Sequence, residues 1–181
     1  MADRVEIRLA GVGGQGMVLA GLILAEAAIN DSKYAVHTQS YGPEARGGAS
    51  RSEVIVSDAE IDYPEVIQAD VLLCMSQQAC DKYYRDIKRT GLLIVDGGRV
   101  QRTPTARAIR ADFGSWAIES TGREITASVV ALGFLVGLTE VVSRQALERA
   151  VKERTPSGTK ELSLQAVARG LSEAEAFKQS A

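Results

Sequence analysis

The sequence is poor in the residues that hold metals and clusters. Its 181 residues include one histidine, His37, and two cysteines, Cys74 and Cys80. An iron–sulfur cluster draws on about four thiolates in close array, and a structural zinc site on four Cys or His ligands. Neither set can be assembled here, and no CxxC, HxxxH or grouping of carboxylates stands in for one. Cys74 falls inside the apolar run ADVLLCMS, where a thiol serves as a small buried hydrophobe. This thiol usage suits a reducing, cytoplasmic compartment. An excess of charge of either sign is also missing: 21 Lys and Arg stand against 23 Asp and Glu, a formal net charge of −2. Such a balance lacks the basic face that nucleic-acid binding requires. Long hydrophobic runs are absent too. The longest, Ala127 to Val142, contains Gly133, Gly137 and Glu140 and falls short of the ~20 strongly apolar residues of a membrane span. Asp3, Arg4, Glu6 and Arg8 exclude the apolar core of a secretory signal from residues 1–10.

What is present reads as one ordinary globular domain over residues 1–181, with 45% hydrophobic and 24% charged residues. Alternation predicts a strand at Val5–Ala10, followed by a glycine loop and an almost wholly apolar helix from about Gln15 to Ile29. KYAVHTQS closes a strand–helix–strand unit, and SRSEVIVSD alternates as a third strand. ADVLLCMS and GLLIVDGG are short continuous apolar runs of the kind buried on both faces of a sheet. Between them QQACDKYYRDIKRT has helical spacing, with Lys88 and Arg89 as its C-terminal cations. ARAIRADF reads as the last strand, and the pattern becomes helical from Arg123. Gly133 and Gly137 share one face of the apolar helix and let another backbone approach; the expected neighbour is the sheet, with a subunit contact second. Ser143 caps a helix running to about Arg154, TPSGTK breaks the chain, ELSLQAVARGL ends at Gly170, and SEAEAFKQS forms a short tail. The expectation is an α/β fold: a three-layer αβα arrangement on a mostly parallel sheet, a Rossmann-like variant with a helical C-terminal part.

Gly11, Gly13 and Gly16 fit GxGxxG between a strand and a helix, with Gly14 as an extra glycine and Gln15 able to bond across the loop. Bare amides at a helix N-terminus, with no side chains in the way, let a phosphate come close. A dinucleotide site also wants an acid at the end of the second strand, roughly 20 residues on, and that place reads VHTQS. No GK[ST] follows, so a P-loop fails as well. By itself the segment remains either a phosphate cradle or a tight turn. A second motif, QSYGPEARGGASRSE, lies where the second strand ends. Pro43 fixes the chain direction, Gly47 and Gly48 loosen it, and Tyr41, Glu44, Arg46 and Arg51 offer a ring, a carboxylate and two guanidinium forks. Arg46 and Arg51 could grip a carboxylate or phosphate bidentately; alternatively, Glu44 pairs with an arginine and stiffens the loop.

GVGGQG followed by SYGPEARGG resembles the gamma subunit of 2-oxoacid:ferredoxin oxidoreductases, a unit also fused within single-chain pyruvate enzymes. The likeness runs from Arg4 to about Gly170 and includes LGFLVGLT and LSLQAVARGL. PEARGGASRSEVIVSDAEIDYP looks most like the 2-oxoglutarate, succinyl-CoA-forming type; pyruvate, branched-chain and indolepyruvate types are the alternatives. The chain departs from the family at the start of the apolar helix, where EITASVVALG has Ser128 near the place of a common asparagine. The resemblance implies a holoenzyme that decarboxylates a 2-oxoacid on thiamine diphosphate, sends electrons through iron–sulfur clusters to ferredoxin, and gives the acyl group to coenzyme A. It implies that thiamine diphosphate and the clusters sit on partner alpha and beta chains, with a delta chain as a further candidate partner. It also implies an oxidoreductase subunit inactive alone, holding no catalytic residue or metal of its own and partnering neither nucleic acid nor membrane. Its own share would be a coenzyme A site drawn from Gly11, Gly13, Gly14, Gln15, Gly16, Ser40, Tyr41, Gly42, Glu44, Arg46, Gly47 and Gly48. A chain that serves only assembly, with an empty loop, is the competing reading.

Overall fold

The computed structural model describes residues 4–40, 48–105 and 107–180. Strand β1 (Arg4–Val12) leads into helix α1 (Met17–Asn30), then into β2 (Tyr34–Ser40) and β3 (Ala49–Ser57). Next come β4 (Ala69–Cys74), α2 (Gln77–Tyr83), β5 (Ile87–Asp96) and β6 (Ile109–Ala111). The C-terminal helices are α3 (Phe113–Thr121), α4 (Ala127–Thr139), α5 (Arg144–Arg154) and α6 (Lys160–Ser180). The strands form one sheet in the order β2-β3-β1-β4-β5-β6. The sheet is mixed: β1, β4, β5 and β6 pair in parallel, and β3 runs against both β1 and β2. The first strand–helix–strand unit is therefore split, because the reversed β3 pairs along all of β1 and separates it from β2.

Side-chain alternation sorts the two faces. Ile7, Leu9, Val71, Leu73 and Ile94 point into the large core beneath α1 and the C-terminal helices. Ala10, Leu72, Cys74, Leu93 and Val95 point to a smaller core with Cys80 and Tyr83 of α2. The three layers are thus unequal, with most helices on one face. Serine and aspartate side chains start three helices as N-caps: Ser76 accepts from Ala79 N–H (3.2 Å), Asp112 from Ser115 N–H (3.0 Å) and Ser143 from Ala146 N–H (3.1 Å).

Four expectations are corrected by packing. Lys88 and Arg89 do not end a helix; they lie in β5, because α2 stops at Tyr83 and a 3-10 turn, Tyr84–Asp86, returns the chain to the sheet. Asp86 holds that turn down by accepting from Arg8 Nη1 (2.9 Å). Gly170 does not end a helix either: α6 continues through it to Ser180. A Cβ at Gly170 would lie 2.6 Å from Phe134 N, and one at Gly133 would lie 2.5 Å from Val167 O. The glycine face of α4 therefore meets α6 of the same chain. Finally, α3 precedes the expected start of the helical region. Its Phe113 and Trp116 stack edge-on (5.7 Å between centroids) and meet Phe134 of α4. No single helix among the described residues is long and apolar enough to cross a membrane.

Candidate functional site

The sheet changes direction between β1 and β4: α1 carries the chain from β1 toward β2, while α2 carries it from β4 toward β5. In open α/β sheets the crevice at the carboxyl ends of two such strands is where ligands bind. Here it is bordered by the glycine loop after β1 and by Met75 after β4. Gln15 joins the two, its Oε1 accepting from Val12 N–H (2.7 Å) and its Nε2 donating to Met75 O (3.1 Å). Gly11 must be bare for this, since a Cβ there would stand 2.5 Å from Gln15 Oε1. The left-handed turn falls at Gly14 (φ 89°) and Gly16 (φ 74°), a region costly for other residues. Gly13 has no atom within 4 Å of where its Cβ would be. Gly16 then starts α1 with no side-chain cap, which leaves the first-turn amides of the helix free to donate.

A second helix begins against the first. A Cβ on Gly16 would lie 2.6 Å from Ser128 Oγ, in the first turn of α4. Thr126, the N-cap of α4, makes no capping bond; its hydroxyl donates to Arg123 O (2.8 Å) instead. Ser128 is only 4% exposed, and its hydroxyl makes no side-chain hydrogen bond among the described residues. It lines a cleft of about 170 Å³ with Gly14, Gln15, Met75, Arg99, Glu124, Ile125 and Ala127. Arg99 enters from the turn after β5, bonded to Asp96 Oδ2 (3.4 Å) and Glu124 Oε1 (2.5 Å). Burial raises the Asp96 carboxyl above its ordinary range, against the lowering effect of the Gly98 N–H and Arg99. Ile125 stands at the rim, 79% exposed. The uncapped N-terminus of α1, a spare hydroxyl and a guanidinium shared with the Glu124 carboxylate thus meet at one point, where the bare α1 amides are the groups that favour an anion.

Of the site residues expected from sequence, the structure brings Gly14 and Gln15 to this cleft. Gly13, Gly14, Gln15 and Gly16 border a second opening of about 390 Å³ with Leu22 and Ser50. Gly11 stays within the sheet, its carbonyl accepting from Ser50 Oγ (3.2 Å). Ser40 ends β2 opposite Arg51, and Gly48 is buried just before β3. Tyr41, Gly42, Glu44, Arg46 and Gly47 lie outside the described residues. Arg51 turns to the α2 face, 3.7 Å from Glu53 Oε2 and 5.9 Å above the Tyr83 ring. Arg99 and Ser128 were not among the expected site residues. Arg99 had a signal, since VDGGR ends a buried strand at the edge where ligands bind. Ser128 had only its place near the family's asparagine.

Residues 6–173 match the family described as Pyruvate ferredoxin/flavodoxin oxidoreductase. The chain is 48% identical over 172 residues to the 2-oxoglutarate synthase subunit KorC of Methanocaldococcus jannaschii, covering 92% of each chain. The crystal structure of a keto/oxoacid ferredoxin oxidoreductase gamma subunit from Geobacter sulfurreducens superposes with a TM-score of 0.85 at 48% identity, over 95% of this chain and 99% of that one. At 19% identity, the 2-oxoglutarate:ferredoxin oxidoreductase of Magnetococcus marinus shares the fold (TM-score 0.83), covering 96% of this chain and 31% of that one. The chain belongs to the pyruvate ferredoxin/flavodoxin oxidoreductase family.

Proposed function

We propose that this chain is the gamma subunit of a 2-oxoglutarate:ferredoxin oxidoreductase and that its cleft contributes to coenzyme A binding. The 48% identity to a 2-oxoglutarate synthase subunit across 92% of both chains carries the first part. The meeting of the α1 and α4 N-termini at Gly16 and Ser128 carries the second. The Magnetococcus marinus enzyme, 31% of whose chain this fold covers, was solved with 2-oxoglutarate, coenzyme A and succinyl-CoA bound, which supports a coenzyme A role for an enzyme that contains this fold. When bound, coenzyme A supplies the thiol that accepts the acyl group. The residues of this chain fit its phosphates. Amides at the start of α1 donate, Ser128 Oγ donates one more bond, and Arg99, which shares its guanidinium with Glu124, supplies further donors. Gly13 leaves room for backbone approach. Arg46 and Glu44 belong to the same proposal, Arg46 as a second clamp. Thiamine diphosphate and the iron–sulfur clusters are assigned to alpha and beta chains, with a delta chain as a further partner, and the complex to the cytoplasm.

Kinetics of the assembled complex test this reading. Ser128→Ala and Arg99→Ala should each raise KM for coenzyme A by about ten- to a hundredfold, the loss of one charge-assisted or buried contact of ~1.5–3 kcal/mol. KM for 2-oxoglutarate should stay within about twofold. A second reading, a purely structural subunit, draws on Gln15, whose side chain satisfies Val12 N–H from within the loop. Under that reading both variants leave coenzyme A saturation unchanged, and Gln15→Ala loosens only the fold.

A further inference from the structure

A separate cleft, of about 350 Å³, lies on the α2 face along the amino half of β5, lined by Tyr84, Ile87, Lys88, Arg89, Gly91 and Leu93 and, across it, by Pro104, Thr105 and Arg107. Its position sets it apart from the coenzyme A cleft. Ile87 pairs with Ala69, the first residue of β4, so this opening sits where the parallel strands begin. Ligands of open α/β sheets gather at the other end. A cleft here is therefore better suited to docking than to catalysis. Along this side β5 also lacks a covering strand: among the described residues β6 pairs only with Ile94, Val95 and Asp96. Before Ile94 the β6 side of β5 has no strand partner among the described residues, and between Ile87 and Leu92 the strand bulges out of register with β4, which leaves backbone there for another segment to meet.

The charge here runs against that of the whole chain. Carboxylates outnumber cations overall, yet Arg89 and Arg107 are exposed and pair with no carboxylate among the described residues. Arg85 is spent on Tyr84, donating to its hydroxyl (3.0 Å) with its guanidinium 5.5 Å from the ring. Lys88 is held by Asp70 (2.8 Å). The floor is apolar, from Ile87 and Leu93, and Pro104 faces it from across the cleft. Cations around an apolar floor beside an open strand edge ask for an extended segment with carboxylates flanking an apolar side chain. We propose that this cleft docks an extended, acidic segment of a partner subunit, with Arg89 and Arg107 gripping its carboxylates. The inference rests on reading the chain as one subunit of a complex.

The test uses the complex co-expressed with a tag on the alpha-type chain. Arg89→Glu/Arg107→Glu should lower the amount of this chain retained through gel filtration by about tenfold or more, since like charges then face each other. Arg89→Lys/Arg107→Lys should be retained nearly as wild type. A photo-crosslinker attached at Thr105→Cys should capture an acidic stretch of one partner chain, identified by mass spectrometry. Circular dichroism of the full-length double variant confirms that it is folded. Retention of the charge-reversed variant at the wild-type level would overturn the proposal, as would crosslinks confined to segments without carboxylates. Stabilisation of the wild-type chain by ADP that is lost in the charge-reversed variant would also overturn it, by making the cleft a small-anion site. If the wild-type chain itself fails to co-purify, the subunit reading falls first, and that outcome is distinct from loss in the variant alone.

Discussion

Single side chains in this fold carry duties that depend on what their neighbours leave unsatisfied. Arg8 is 1% exposed in the middle of β1, with Nε donating to Glu53 Oε1 (2.7 Å), Nη1 to Asp86 Oδ2 (2.9 Å) and Nη2 to Val66 O (2.8 Å). Removing one member of such a set strands a buried charge. Arg8→Ala should cost about 3–5 kcal/mol in urea unfolding, and Arg8→Met combined with Glu53→Gln should cost clearly less. A loss under ~1 kcal/mol for Arg8→Ala would mean that water reaches Glu53. His37 is the second case. Its Nε2 lies 2.8 Å from the buried Ser52 Oγ, and burial lowers its pKa below 6.5. The lowered value means that the unfolded chain takes up a proton first. The stability His37 contributes is complete above the unfolded value and is lost as pH falls through the folded one. As the chain has one histidine, a single imidazole signal in a proton NMR titration reads this directly. A midpoint at or above 6.5 would contradict it. His37→Gln should flatten the decline of Tm below that pH.

Between elements, the α4–α6 pair shows how a glycine outside any turn can be required. Gly170 costs helix propensity, about 1 kcal/mol against alanine, yet it sits against the backbone of Phe134 and Gly133. Backbone atoms cannot rotate aside, so Gly170→Ala must push the helices apart. The expected result is a net loss of about 1–3 kcal/mol despite the gain in propensity, read as a lower midpoint in urea with an unchanged slope. Gly13 is the counterpart, since open space surrounds the position of its Cβ and its φ is not positive. Gly13→Val should leave Tm within about 2 °C while weakening coenzyme A saturation of the complex. Unchanged saturation in that folded variant would favour the self-satisfied turn.

For the whole molecule, the prediction concerns division of labour. The isolated chain should show no oxidation of 2-oxoglutarate and no iron–sulfur absorbance, and activity should appear only when alpha- and beta-type partners are added. Stoichiometric iron with cluster absorbance on the purified chain would reject the assignment. Ile125, exposed at the mouth of the cleft that holds Ser128, and the cleft beside Arg89 and Arg107 at the opposite end of the sheet lie far apart on the subunit, so the two proposals can be tested by separate variants.

Much of this was written in the order of the residues. The strand alternation, the glycine loop, the cap at Ser143 and the buried run ADVLLCMS depend on neighbours within a turn or two, so sequence period and local chemistry determined them. The family followed from two motifs at a set spacing, GVGGQG and SYGPEARGG. The tertiary structure decided what distance along the chain conceals. It reversed β3 between β1 and β2, carried α6 straight through Gly170, and turned Lys88 and Arg89 from a helix end into a strand. It also brought Ser128 against Gly16 and set Arg99 beside them. The reason in each case is that burial, backbone contact and ion pairing act between residues many positions apart, whereas helical and strand periods record only which face of its own element a side chain occupies.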